Sequence, residues 1–382
     1  MPIVYPYQQY QGVWTLSQAS DAVAQGKWPA PQIRLLAWGK NSYGQLGLGS
    51  TTYYSSPKQV GSLTTWLKVA SSYQTFGIKT DGTLWAWGQN NYGQLGLNNI
   101  TYYSSPKQVG ALTNWSSISC GFFHSLAVKT NGTLWTWGNN GYGQLGLGNV
   151  TYYSSPKQVG ALTNWATASG GIYHSLATKI DGTLWAWGNN NSGQLGQNNT
   201  TYLSSPKQIG ALTTWLSVSA GVYSSFAIKT DGTLWSWGQN NFGMLGLGNV
   251  TKYSSPKQVG SLTNWSQISA RNYSVLSIKT DGSLWSWGGN GSGQSGFGNT
   301  TSYSSPKQVG ALTTWSSISN GTNASMALQT NGTLWTWGDN SVGQLGLGNI
   351  TSYSSPKQVG NLTTWTFINS GWSQQFGIAK TL

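Results

Sequence analysis

A block of about fifty residues is written seven times along this chain of 382, which restricts it to folds that stack or ring like units. The dipeptide Trp-Gly recurs at Trp38, Trp87, Trp137, Trp187, Trp237, Trp287 and Trp337. The pentapeptide SSPKQ places its proline at Pro57, Pro106, Pro156, Pro206, Pro256, Pro306 and Pro356. A third series, LTxW, falls at Trp66, Trp115, Trp165, Trp215, Trp265, Trp315 and Trp365, and the period is 50 apart from one spacing of 49. With the tryptophan of GTLW or GSLW (Trp85, Trp135, Trp185, Trp235, Trp285, Trp335), the framework accounts for 20 of the 23 tryptophans.

Apolar alternation bounded by turn residues divides one period into four short strands. Over residues 115–160 these are WSSIS (a), SLAVKT (b), TLWTWG (c) and PKQVG (d). An NG or DG dipeptide joins b to c, which calls for a tight hairpin with positive φ at both central residues. Four strands per period of this length predict propeller blades. Strand a loses bulk toward its end (SISCG, TASGG, SVSAG), as a crowded central channel requires. Strand d carries Pro and Lys, which protect an outer sheet edge. Residues 365–380 supply strands a and b and then stop, while 34–61 begin with c and d, so the two termini should complete one blade. The expected fold is an all-β, seven-bladed propeller over residues 32–382, preceded by an arm of residues 1–31.

Composition narrows the chemistry. There is no Glu, and the six acids are all Asp; two His (His124, His174) and one Cys (Cys120) complete a sparse set of acid–base and metal-ligating groups. The reading is therefore a non-enzyme with no catalytic residues, no metal and no cofactor. No apolar run reaches membrane-spanning length, and the first residues lack the basic and apolar segments of a signal peptide. A soluble protein without membrane insertion is expected, either cytoplasmic or released without a standard signal.

Segments such as GTLWTWGNNGYGQLGLGN followed by SxGxxHSLAVKTNG resemble the repeat of the regulator of chromosome condensation family, whose fold is a seven-bladed propeller. The resemblance spans about residues 34–380. The family's His before SLA survives only at His124 and His174, and Gln74, Ser224, Ser274, Ala324 and Gln374 replace it elsewhere. Members that act on a small GTPase use an inserted wedge and acidic contacts, which uniform spacing and scarce acids argue against here. In the arm, TLSQASDAVAQG reads as a short helix between Ser17 and Gly26. The stretch GVWTLSQASDAVAQGKWPAP is similar to N-terminal segments of structural proteins of marine tailed bacteriophages. That likeness implies a docking arm, with Tyr7, Trp14, Leu16 and Trp28 meeting other virion proteins.

The seven copies can be compared with one another. In an antiparallel blade the a–b and c–d connections share one face of the disc. On that face the copies diverge, whereas KTDGTLW and VGALTNW on the other are nearly constant. The variable positions give a candidate binding face: Tyr73, Phe122, Phe123, His124, Tyr173, His174, Tyr223, Arg271, Tyr273 and Trp372, with Tyr92, Tyr142 and Phe242 farther out. Aromatic and small polar residues on varied loops are the composition of a paratope. The alternative is relaxed constraint on exposed loops. For the histidines, the alternative to a shared ligand is a satisfied structural role.

The net charge of +13 invites nucleic acid. Twelve lysines, however, repeat in two rings, following the strand-d proline (Lys58 to Lys357) or ending strand b (Lys79, Lys129, Lys179, Lys229, Lys279), so nucleic acid is not the expected partner. Asp81, Asp181, Asp231 and Asp281 interchange with Asn131 and Asn331, which points to turn geometry. The combined expectation is a binding propeller of a phage virion or tail that meets a host-surface protein or glycan. The alternatives are a bacterial protein-binding propeller of the β-lactamase-inhibitor type, or a regulator binding a GTPase or chromatin.

Overall fold

The computed structural model describes residues 32–381; the arm residues Tyr7, Trp14, Leu16 and Trp28 and the expected helix lie outside the described residues. Seven four-stranded antiparallel sheets are present, each in the order a–b–c–d. We number the blades 1 (66–108), 2 (115–158), 3 (165–208), 4 (215–258), 5 (265–308) and 6 (315–358). The closing blade joins Trp365–Ser370 and Gln374–Thr381 from one end of the chain to Gln32–Gly39 and Tyr54–Gln59 from the other. Its b–c pair runs from Gln32↔Thr381 to Gly39↔Gln374, longer than the Gln74↔Gly88 to Ile78↔Leu84 ladder of blade 1. The extra pairs stand where a covalent turn joins b to c in the other blades.

Strand b is buried throughout and strand a packs against strand a of the next blade, so the inner and outer assignments hold. Strand d differs in extent: it runs Tyr153–Gln158 in blade 2, and Pro156 lies inside it. An outer edge strand tolerates proline because the missing N–H would have faced no neighbour. The b–c turn also differs from expectation. In blade 1 the Gly82 N–H donates to Lys79 O at 2.9 Å, and only Gly82 has positive φ (+76°). This is a three-residue loop with glycine in the left-handed position rather than a two-residue turn. Asp81 instead accepts from the Thr83 N–H and Oγ1, and Thr83 Oγ1 accepts from Trp85 Nε1. Asn131 makes the same contacts, so one side-chain oxygen suffices and acid and amide are interchangeable.

The core is divided into layers between blades. One layer joins Phe76, Ile78, Leu84, Leu95 and Val109 of blade 1 to Trp115, Ala127 and Trp137 of blade 2. Each Trp-Gly tryptophan is fully buried and donates its indole N–H to the GQLG loop of the preceding blade: Trp137 to Gln94 O, Trp187 to Gln144 O, and, across the chain ends, Trp38 to Gln344 O. The glycine of that loop is required by the same contact, since a Cβ on Gly96 would stand 2.9 Å from Trp137 Nε1. Motifs remote in sequence are thus two halves of one repeated joint.

The strand-b lysines and all the strand-d lysines but Lys207, where Leu203 replaces the tyrosine, lie on aromatic rings. Lys79 Nζ is 3.6 Å from the centroid of Trp85, and Lys129 and Lys179 are each 3.7 Å from theirs. Lys58, Lys107 and Lys157 lie over the tyrosine four residues earlier. The twelve repeated lysines are distributed around the ring, which spreads the charge rather than concentrating it in a patch.

Candidate functional site

The a–b and c–d loops meet on one face, as parity requires, and at four of the seven junctions an aromatic side chain of the c–d loop packs on the a–b loop of the next blade. Tyr43 packs on Tyr73, Tyr92 on Phe123, Tyr142 on Tyr173 and Phe242 on Tyr273, with ring centroids 4.9–6.1 Å apart. An inner arc of near-parallel rings runs Trp372–Tyr73–Phe123–Tyr173 at 5.1, 5.8 and 5.9 Å. Outer pairs bridge neighbouring blades: Tyr43–Tyr102, Tyr92–Tyr152 and Tyr142–Tyr202. The outer tyrosines Tyr53, Tyr102, Tyr152 and Tyr202 are exposed, and none of them is among the contacts expected from the sequence.

The aromatic surface is one-sided. The closing blade and blades 1 and 2 carry aromatics at the inner, middle and outer loop positions. Blade 5 keeps Tyr273 with Ser292 and Ser302, and blade 6 has Asn323, Val342 and Ser352. Phe242 is the most exposed of these rings, at 57%, and its backbone is left-handed (φ 58°). A bulky residue held there stores strain, and such strain clusters at functional positions. Burial raises the Tyr73 hydroxyl to about 12 and lifts Tyr173 and Tyr223 above their ordinary value, so the arc is uncharged at neutral pH.

Four candidates lie beneath the face rather than on it. His124 and His174 are fully buried. The Ser175 hydroxyl gives its hydrogen to Gln144 O, so His124 must donate Nε2–H to Ser175 Oγ at 2.9 Å; His174 does the same to Ser225. Each Nδ1 is unpartnered and packs against a glycine, Gly121 or Gly171. Desolvation holds both rings at about 3, and for His124 the nearby His174 adds to the effect. These are neutral clasps between blades, and Gln74 and Gln374 replace them by donating to carbonyls of the next blade. Phe122 is 5% exposed. Arg271 extends strand a of blade 5 by one residue, and its Nη1 donates across the channel mouth to Ser71 O and Ser370 O at 3.1 and 3.2 Å. Burial lowers its guanidinium to about 10, still a cation at neutral pH. Sequence reasoning missed these depths because the partners lie one to three blades away.

Among the described residues no cluster of three or more His, Cys, Asp or Glu could hold a metal, and no helix is long and apolar enough to cross a membrane. Burial pushes the Cys120 thiol far above its ordinary value, away from the reactive thiolate.

The sequence profile of the regulator of chromosome condensation (RCC1) repeat matches 34–75, 81–128, 131–178, 181–228, 231–277, 281–328 and 331–376. The chain belongs to the RCC1 repeat family. A second RCC1 profile matches four segments, the first at 115–144. No curated protein sequence matches the chain. Among solved structures, Prp20p from Saccharomyces cerevisiae, described with its binding to Gsp1p and histones, superposes with a TM-score of 0.83 at 21% identity, covering 92% of each chain. Human WBSCR16 gives 0.81 at 22%, over 92% of this chain and 99% of its own. Yeast RCC1 (Prp20) bound to Kap60 gives 0.82 at 20%, over 100% and 97%. At these identities the likeness establishes the RCC1 fold.

Proposed function

We propose that this RCC1-family propeller is a non-enzymatic protein-binding module that captures its partner on the aromatic sector of the closing blade and blades 1 and 2. The observation that carries the reading is the one-sided distribution of rings on an otherwise repetitive disc. Exposed aromatics bring large contact area at low side-chain entropy, and they fall off toward blade 6 as a bounded footprint would. Prp20p, with its binding to Gsp1p and histones, is a precedent for protein partners in this fold. A histone partner suits this chain poorly, since histones are basic and the chain itself carries +13.

The test is affinity capture with Tyr92, Phe123 and Tyr142 changed together to Ala, against Asn323→Ala with Ser352→Ala on blade 6. The reading expects the first variant to lose the wild-type partner and the second to keep it. Equal capture by all three proteins rejects it. An enzyme-inhibition screen distinguishes a partner of the β-lactamase type. The narrower reading, attachment within a phage virion, rests on the resemblance of residues 12–31 alone, and the family match lends it no support. Deleting 1–31 tests it: normal incorporation of the truncated protein into particles would dispose of the docking arm.

A further inference from the structure

Four grooves of one design open on the rim of the disc, at the junctions of blades 1 and 2, 2 and 3, 4 and 5, and 5 and 6, with volumes of about 320 to 480 Å³. At the first, Leu112, Trp135 and Pro156 form an apolar wall, and Gln108 and Ser155 add an amide and a hydroxyl. The equivalent residues line the other three, and no acidic residue lines any of them. The polar groups are within reach of solvent: Gln108 and Gln258 are exposed, as are Ser205, Ser305 and Ser355. The grooves lie beside the d–a connections, so they are remote from the aromatic sector.

Each wall is set before any ligand arrives. Trp135 Nε1 donates to Thr133 Oγ1 at 2.9 Å, and Lys129 Nζ lies 3.7 Å from the ring centroid, so the indole has no rotamer freedom left to lose. A rigid indole beside an amide and a hydroxyl suits a pyranose, whose C–H side packs on the apolar wall while its hydroxyls reach the glutamine and serine. The lip is also constant. All seven LTxW leucines are exposed, at 39–50%, and every copy keeps leucine while the residue before it changes between Ser62, Ala111 and Asn361. Folding does not require an exposed leucine in every copy, whereas a contact made repeatedly does. The strand-d lysine, directly before the groove glutamine, is exposed in all seven blades, from Lys58 to Lys357. Grooves and cations thus recur together around the rim. A linear polymer with charge on its sugars matches that arrangement, because each weak site adds to the hold on one chain.

We propose that the rim binds an acidic polysaccharide, with sugar rings seated in the Leu–Trp–Pro grooves and carboxylates or sulfate esters on the strand-d lysines. The site stands apart from the aromatic sector and does not depend on the protein partner proposed there. Binding of the full chain to immobilised alginate, dextran sulfate, unmodified dextran and single-stranded DNA, each at low and high salt, tests it. Alginate and dextran sulfate separate carboxylate from sulfate ester. At least one of them should bind saturably, more tightly than dextran or DNA, and weaken as salt rises. Changing Leu112, Leu162, Leu262 and Leu312 together to Ala leaves the net charge at +13 and should weaken that binding tenfold or more. No binding to either acidic polymer, or equal or tighter binding of dextran or DNA, overturns the proposal. So does unchanged affinity in the leucine variant, which would assign the binding to the lysines alone. Should that variant fail to fold, Gln108→Ala with Gln258→Ala carries the same expectation of weaker binding at unchanged charge, and unchanged affinity there refutes the groove.

Discussion

Exchanging His124 and His174 for glutamine should turn a pH-sensitive ring into a pH-insensitive one. Both imidazoles are buried and held at about 3 by desolvation. The unfolded chain takes up protons below roughly 6.5, whereas the folded ring does not, so their contribution is complete above that pH and falls as pH drops toward 3. Between pH 7 and pH 5 each histidine removes about 1.9 kcal/mol, and the pair about 4 kcal/mol, a large share of an ordinary folding free energy. The turn carboxylates do not blur this window: hydrogen bonds from Thr83, Thr183, Thr233 and Ser283 hold Asp81, Asp181, Asp231 and Asp281 below their usual range, so they stay ionised at pH 5. Glutamine is the appropriate replacement because Gln74 already occupies the equivalent position and donates to the next blade. Urea denaturation followed by tryptophan fluorescence at pH 7, 6 and 5 reads the effect. A wild-type change below about 1 kcal/mol over that range, or an equal change in the double variant, would refute the burial argument.

Two glycines with the same backbone sign separate strain from crowding. Gly110→Ala has φ +61° and meets nothing within 4 Å, so its cost should be about 1–2 kcal/mol; Gly82→Ala, at φ +76°, would also drive its Cβ to 2.0 Å from Thr113 O and should cost clearly more in the same denaturation assay. Asp231→Asn should leave stability within about 0.5 kcal/mol because one side-chain oxygen receives both Thr233 bonds, whereas Asp231→Ala should lose about 1 kcal/mol. A large loss on Asp231→Asn would mean that the charge matters.

Strand order, inner and outer edges and closure by both termini were legible in the period because they depend on local alternation and on which motif precedes which. Trp38, Pro57 and Trp365 each announce their place by their neighbours in sequence. The b–c turn was misjudged because Asp-Gly admits two loop lengths, and the choice was made by the Thr83 hydroxyl and backbone capturing Asp81. The face was legible as a face, since antiparallel parity alone puts the a–b and c–d loops together.

Depth on that face was not legible. Whether a loop side chain is surface or core depends on what the next blade places over it, and each partner lies about fifty residues away or more. His124 is buried by Ser175 of the next blade, while Tyr173, one residue before an equivalent histidine, remains partly exposed. Arg271 reads as a surface cation until the ring closes and sets Ser71, 200 residues distant, opposite its Nη1. The sequence alone determined the architecture, because a repeat needs only its own pattern. The roles of individual loop residues were decided by the closed ring, because burial and charge pairing are set by contacts that exist only once all seven blades are in place.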